Sequence, residues 1–310
     1  MRNPRRRSTS VSSFSSRSRI TARPGAGLEV AFLDPDAPEG APHVAATDGA
    51  LTLAAVALDP RGSEAEASYL RAELEALENE AQHWRSVKTE TLAAMHEPGF
   101  WDSEARTGVL ARVEYLDRLE AATQTARRLA GRLPIRREAQ SRELVQLLSR
   151  RLHVLRGALR GLAAGEPSDA LVTLRPGHGD DAAACAGFAA ELAEMYLGWA
   201  AGRGMQARSV AEVDDARVLE ISGLGAYTLL RGENGVHMLE TPVGESSFDR
   251  VTVVVDVGAL DPDWESTDGA EPAIVRRYRR EPSPLVRYAS GARTGRIDHV
   301  FAGDFDLFAD

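Results

Sequence analysis

The feature that most constrains this chain is a change of hydrophobic period partway along it. Between residues 66 and 165 apolar side chains recur every three or four positions, and beyond residue 165 they mostly alternate. Leu70, Leu74, Leu77, Ala81 and Trp84 form one helical stripe on an otherwise charged segment. Leu110, Val113, Leu116 and Leu119 form a second; Leu144, Leu147, Leu148, Leu152, Leu155, Leu159 and Leu162 form a third. In "EPGFWDSEAR" (97–106), Pro98 and Gly99 break the first helix, and Asp102 or Ser103 can cap the next. Stripes separated by short breaks predict an antiparallel helical bundle or long hairpin over 66–165. Trp84, Phe100 and Trp101, at or near the break, are expected to pack it together.

"GEPSD" (165–169) marks the change of period. "ALVTLR" (170–175) reads as a strand and "PGHGDD" as a turn feeding the helix "AAACAGFAAELAEMYLGWAAGRG". Strand-like runs follow at 206–213, 216–222, 225–230, 235–241 and 251–257. The expected fold class is therefore α+β: an N-terminal helical bundle or hairpin, then an α+β sandwich with the long helix packed on a mostly antiparallel sheet.

Residues 1–28 carry seven arginines and many serines, with no acid before Glu29. Such a stretch buries too little apolar surface to fold alone, and it also suits an organellar transit peptide. The expected organisation is a poorly ordered extension over 1–65, a helical domain over 66–165 and an α+β domain over 166–310. Within the extension, "LTLAAVALDP" suits a strand.

Composition narrows the chemistry. No run approaches the ~18 apolar residues of a membrane span, so no membrane partner is expected. One cysteine, Cys185 in "AAACAG", excludes an internal disulfide or a Cys-rich zinc site, and its apolar setting points to a buried inert thiol. The net charge of −9 argues against nucleic-acid affinity over the whole surface. Lys88 is the single lysine, so the positive charge is nearly all arginine; that pattern suits phosphate recognition or a GC-rich genome. His153, His178, His237 and His299 show no metal-ligand spacing, and no H-E-x-x-H, G-x-S-x-G or P-loop motif occurs. No metal, cofactor or small-molecule substrate is expected.

Four stretches, read in order, resemble bacterial peptide chain release factors of the second type. "EPGFWDSEAR" resembles the joint after that family's first helix, and "MYLGWAAGRGM" (195–205) the end of the long helix in its codon-recognition, or PCRF, domain. "GLGAYTLLRGENGVHMLE" (223–240) is similar to its Gly-x-x-Ala-Tyr-x-x-Leu and Gly-Val-His-x-Leu run. "IVRRYRREP", "LVRYASGARTG" and "FAGDFDLF" resemble its closing signature. In that family a catalytic domain carrying a Gly-Gly-Gln loop lies between the segments that match Val257 and Ile274. Here Gly258–Ala273 fills the gap, and Gly-Gly-Gln occurs nowhere.

The resemblance implies that the turn within 241–248 occupies the place of a stop-codon-reading loop. Two alignments stay open: Thr241-Pro242-Val243 stands for the family's Ser-Pro-Phe, or Ser246-Ser247-Phe248-Asp249 does. In either, the basic Gly-Arg-Arg-His-Thr stretch is missing. The helix tip Gly177-His178-Gly179-Asp180, with Asp181 next, replaces Gly-x-Gly-Gly; its carboxylates suit a helix N-terminus and repel a codon phosphate. Loss of stop-codon reading is expected.

The RNA-facing candidates are Arg203, Arg231, His237, Arg250, Arg276, Arg277, Arg279, Arg280 and Arg287. Strand alternation puts Arg276, Tyr278 and Arg280 on one face and Arg277 and Arg279 on the other; Arg276 and Arg280 are read as the RNA-bearing pair. The expected protein is non-enzymatic, cytoplasmic (organellar if 1–28 is a transit peptide) and related to translation termination. It would bind the ribosome or structured RNA as a regulator. The alternative is a protein-interaction module, engaged through acidic surfaces, that kept the fold and abandoned RNA.

Overall fold

The structure, a computed structural model, describes residues 18–23, 26–32, 51–134, 139–177, 181–213, 216–243, 247–260 and 273–309. For 18–23, 26–32 and 211–213 only the backbone is described. Two units are present, 1–50 and 51–310. The first contains an antiparallel pair, β1 (Ser18–Arg23) and β2 (Ala26–Phe32).

The second unit begins earlier than the sequence pattern suggests. Residues 53–58, expected as a strand, form the short helix α1 (Leu53–Leu58), capped by Thr52. Leu53, Val56 and Ala57 are buried. Ser149 Oγ donates to Leu53 O at 2.6 Å and Gln146 Nε2 to Ala57 O at 2.8 Å. A short apolar run has no length by which to tell strand from helix; here the polar capping residue and a leucine-rich neighbour decide. The boundary expected at residue 66 therefore falls inside this folded unit.

Helix α2 (Glu64–Ala94) starts at a capping box: Ser63 Oγ accepts from Glu66 N, and Glu66 Oε2 accepts from Ser63 N at 2.9 Å. Helix α3 (Arg106–Gly131) returns antiparallel, and Lys88 ties the two through Asp117 (2.6 Å) and Glu120 (2.7 Å). Helix α4 (Arg142–Ala163) completes the bundle, with Leu148, Leu152, Leu155 and Leu159 buried. The aromatic break behaves differently from expectation. Trp84 packs partly against the core, whereas Trp101 is 59% exposed. Phe100–Asp102 form a tight helical turn after Gly99, which has φ +86°, and the Trp101 ring meets Phe100 edge-on rather than the bundle core.

Strand β3 (Ala170–Pro176), helix α5 (Ala182–Gly202), strands β4 (Gln206–Val213) and β5 (Ala216–Ser222), and helix α6 (Ala226–Leu230) follow. Residues 225–230, expected as a strand, are thus helical. Gly225 sits at φ +71°, and a Cβ there would lie 2.9 Å from Ala158 Cα, so α6 is seated directly on α4 and buries Ala226, Tyr227 and Leu230. That close approach joins the bundle to the sheet.

Strands β6 (Gly235–Pro242), β7 (Phe248–Ala259), β8 (Ile274–Arg279), β9 (Leu285–Tyr288) and β10 (Arg293–Thr294) complete an eight-stranded sheet, and helical turns close the described chain over 297–308. Its order is β10-β9-β8-β6-β7-β3-β5-β4. Every pairing is antiparallel except β6 with β8. The α+β reading holds: α5 packs on one face with Val172, Leu219, Val253 and Val255, while Arg175, Asp256 and Arg287 on the other face are exposed. Strand β7 ends and β8 begins at the same end of β6, on opposite sides of it. The connection 260–273 therefore crosses two strand spacings, about 10 Å sideways, and about 15 Å along the strands, because β7 runs four residues past the Val255–Gly235 pair. Val236 N donates to Ala273 O at 2.8 Å there. Gly235, at φ +137°, lets the chain pass: a Cβ would lie 2.4 Å from Ala273 O.

Two stability outcomes follow. A 61–310 fragment should melt well below a 51–310 fragment in circular dichroism, because α1 buries four apolar side chains. Trp101→Ala should change unfolding free energy by no more than about 0.5 kcal/mol in urea titration, the usual range for an exposed side chain.

Candidate nucleic-acid interface

The tail "IVRRYRR" alternates as a strand must, and the register decides which arginines see solvent. Arg276 and Tyr278 face α5, and Arg276 is 1% exposed. Its Nη2 lies 2.5 Å from Glu233 Oε1, and its Nη1 donates to Tyr278 Oη at 3.1 Å. Its guanidinium stacks over Tyr288 (4.6 Å) and Phe305 (4.8 Å). Arg276 is therefore an internal strut, and its assignment as an RNA contact is corrected: a fully buried arginine needs a carboxylate, and Glu233 supplies it.

His237 belongs to the same cluster and is fully buried. Its Nε2 meets the Glu233 carbonyl at 3.1 Å, which can only accept, so Nε2 carries the proton and Nδ1 accepts from Tyr278 Oη at 3.1 Å. Burial, reinforced by the Arg276 charge, pushes its pKa down to about 3. It is neutral and has no path to a nucleotide. Burial raises the pKa of Glu233 against the opposing pull of Arg276. Tyr196 Oη donates to Glu233 Oε2 at 3.1 Å, which brings α5 into the network.

Arg203 is also internal. It is 5% exposed, with Nε 3.0 Å from Asp306 Oδ2 and Nη2 on Oδ1. Burial alone would raise the Asp306 pKa, but Arg203 and His153 bring it to about 2. Arg231, half exposed, pairs with Glu166 at 2.8 Å near the junction with the bundle, away from the other candidates. Arg280 leans over Phe301 and pairs with Glu191, on the α5 side of the sheet.

The remaining candidates gather on the face opposite α5. Arg277 and Arg279 project there from β8, Arg287 from β9 and Arg250 from β7. Arg293, which the sequence pattern did not single out, joins them from β10 opposite Arg287. Its signal lay only in a two-residue strand pairing.

The β6–β7 turn projects from the sheet end. Pro242 pairs with Phe248 and Thr241 with Asp249, and Val243 N donates to Ser247 O at 3.0 Å. Val243 is 57% and Phe248 38% exposed. Ser246 lies outside the described residues, so both alignments of the turn place their described members at one exposed tip. Gly177 begins the nearby helix tip: its N donates to Thr252 O at 2.8 Å, and a Cβ would lie 2.0 Å from Thr252 Oγ1. His178, Gly179 and Asp180 lie outside the described residues. Asp181 caps α5 by accepting from Ala184 N at 2.8 Å. That carboxylate is engaged with its own helix.

Arg276→Ala should cost about 3–5 kcal/mol in chemical denaturation, because it leaves the Glu233 carboxyl buried without its partner. Acid should destabilise the fold in two stages. His237 is neutral in the folded state and protonates in the unfolded chain below about pH 6.5, so stability falls as pH drops below that value towards 3. Asp306, ionised in the fold down to about pH 2, adds a further loss below about pH 3.9, its unfolded value. Melting midpoints measured from pH 7 to pH 4 should fall, and His237→Gln should flatten the upper part of that slope.

The sequence matches the PCRF domain family over residues 59–253. It is 32% identical over 185 residues to peptide chain release factor 1 of Desulforudis audaxviator, covering 55% of this chain and 51% of that one. It is 33% identical over 175 residues to the protein of that name from Gluconacetobacter diazotrophicus, covering 51% and 49%. The chain thus spans about half the length of the curated relatives it matches. Among solved structures it is similar to RF2 of Thermus thermophilus, with 18% identity, a TM-score of 0.37, and 72% and 92% of the two chains covered. The chain belongs to the PCRF domain family and is a peptide chain release factor-like protein.

Proposed function

We propose that this protein is a non-hydrolytic, release-factor-like factor that binds the ribosome as a regulator of translation, in the cytoplasm where its bacterial relatives would act. The observation that carries the reading is the β7–β8 connection. Strand β8 pairs with β6 although only 260–273 intervene, and the resemblance expects a catalytic domain there. No Gly-Gly-Gln occurs in the sequence to position water against a peptidyl-tRNA ester. What remains is a PCRF core with an arginine-bearing open face and a projecting turn.

The turn itself supports occupancy without decoding. It offers Thr241, Pro242, Val243, Ser247 and Phe248 but lacks the family's basic stretch, and Asp181 puts an acid at the neighbouring helix tip. A second reading, a protein-interaction module, is favoured by the net charge of −9 and by the acidic 258–273 connection. Ribosome co-sedimentation over a salt series separates the two, since contacts to phosphate weaken steeply with salt.

The purified chain should release no peptide from ribosomes stalled at any of the three stop codons, measured against the spontaneous rate, while pelleting with ribosomes at low salt. Stop-codon-dependent release would overturn the non-hydrolytic reading. Absence from the ribosome pellet at every salt concentration would favour the protein-interaction reading.

A further inference from the structure

The seam where α4, α6, β9 and the closing turns meet encloses a cavity of about 200 Å³. His153, Glu233, Tyr288 and Asp306 form its floor, each at least nine-tenths buried. Leu229 and Val275 give it apolar walls, and Arg160 stands exposed at its rim. Tyr288 Oη is buried and has no hydrogen-bond partner among the described residues. Burial holds its pKa well above the ordinary phenol value, so the hydroxyl keeps its proton and can donate it. A buried hydroxyl without a partner destabilises a fold. The Tyr288 ring packs without its help, since the Arg276 guanidinium lies over the ring at 4.6 Å. Phenylalanine would serve the fold as well, so the hydroxyl calls for a partner that enters the cavity.

The floor limits what that partner can be. Its two carboxylates are each balanced by a buried arginine, Glu233 by Arg276 and Asp306 by Arg203. An anion would meet the carboxylates and a cation the arginines that balance them, so a neutral group is favoured. A carboxylate offers about four lone-pair sites. Glu233 spends one on Arg276 and one on Tyr196, which leaves it able to accept from an N–H. With Tyr288 donating, the complement is a neutral edge that carries an N–H beside an acceptor. An amide and a nucleobase both have such an edge, and size and the rim separate them. An apolar cavity of about 150 Å³ holds benzene, so this one, at about 200 Å³, admits a heterocyclic base. It is smaller than the roughly 300 Å³ or more that a whole drug-sized ligand takes, so the rest of the ligand stays at the mouth. There Arg160, which pairs with no carboxylate among the described residues, can grip phosphate oxygens. A base inside and a phosphate outside are the two ends of a nucleotide.

We propose that this cavity is a nucleotide-binding site, which takes one base edge-on against Tyr288 Oη and the Glu233 carboxylate and holds its phosphate on Arg160. The same chemistry comes from a free nucleoside monophosphate or from an unpaired nucleotide of RNA, whose splayed-out base can be read on its edge. The site lies at the Gly235 end of β6, the opposite end from the β6–β7 turn. It does not rest on the ribosome reading.

The test titrates the full chain calorimetrically with AMP, CMP, GMP and UMP, with their nucleosides, with ribose 5-phosphate as a probe that lacks the base, and with a short single-stranded RNA of mixed sequence. At least one monophosphate should bind, and ribose 5-phosphate should not. Tyr288→Phe should weaken that binding about tenfold and melt no lower than wild type, because the lost hydroxyl bonds to nothing in the fold. Arg160→Gln should weaken the monophosphate severalfold and leave its nucleoside unchanged. Tighter binding of the single-stranded RNA than of any monomer, lost in Tyr288→Phe, would support the site and assign the base to RNA. Monomer binding without RNA binding would support it with a free nucleotide as the source. Ribose 5-phosphate that binds as tightly as the nucleotides would reduce the site to an anion contact and overturn the proposal. So would Tyr288→Phe that binds like wild type, or that melts lower and thereby gives the hydroxyl a structural role. Failure of every probe to bind at millimolar concentration would overturn it as well.

Discussion

The ion pair between Arg276 and Glu233 is the interaction on which the rest of the α+β domain depends. Glu233 sits just before β6, Arg276 on β8, and the groups packed around the pair come from α5, β6, β9 and the closing turns. Two opposite charges at such depth are costly to desolvate, and attraction plus hydrogen bonds must offset that cost. Removing either partner would leave a bare charge among Tyr196, Tyr278 and Phe305. The pair therefore specifies one docking position for the last strands. The neighbouring Arg203–Asp306 pair does the same for the closing turns against the C-terminal end of α5.

This arrangement explains how one strand can hold arginines of opposite character. Arg276 and Arg277 are adjacent, yet one is sealed between aromatic rings and the other is 42% exposed beside Glu240. The pleat sorts them: inward positions serve the fold, and outward positions are released from it. The parity of 276, 278 and 280 was legible in the sequence. Which face was the inner one was not, because that depends on Glu233, a residue 43 positions earlier. Four clustered arginines read as solvent-exposed by composition, and only the partner across the sheet reverses that for one of them.

Long elements were legible for a simple reason. The stripes of α2, α3 and α4 repeat over several turns, so local errors average out, and β6 and β7 alternate long enough to be unambiguous. The two misread runs, 53–58 and 226–230, are short and mostly apolar. Their conformation is imposed by α4, on which both are seated: Ser149 and Gln146 hold the first, and Ala158 approaches the second. Arg293 was missed on the same grounds, since a two-residue strand has no pattern of its own. The turn at 241–248 could be located by its flanking strands, but the sequence alone left its alignment open.

The crossing at Gly235 carries a broader consequence. Because β8 is anchored through its own side chains and enters beside the place where β7 leaves, the sheet does not depend on what joins them. The join behaves as a socket. A backbone cut there would leave two pieces still joined by the β6–β8 pairing and the buried arginine. The strand order is therefore independent, at that one point, of the length of chain that joins β7 to β8.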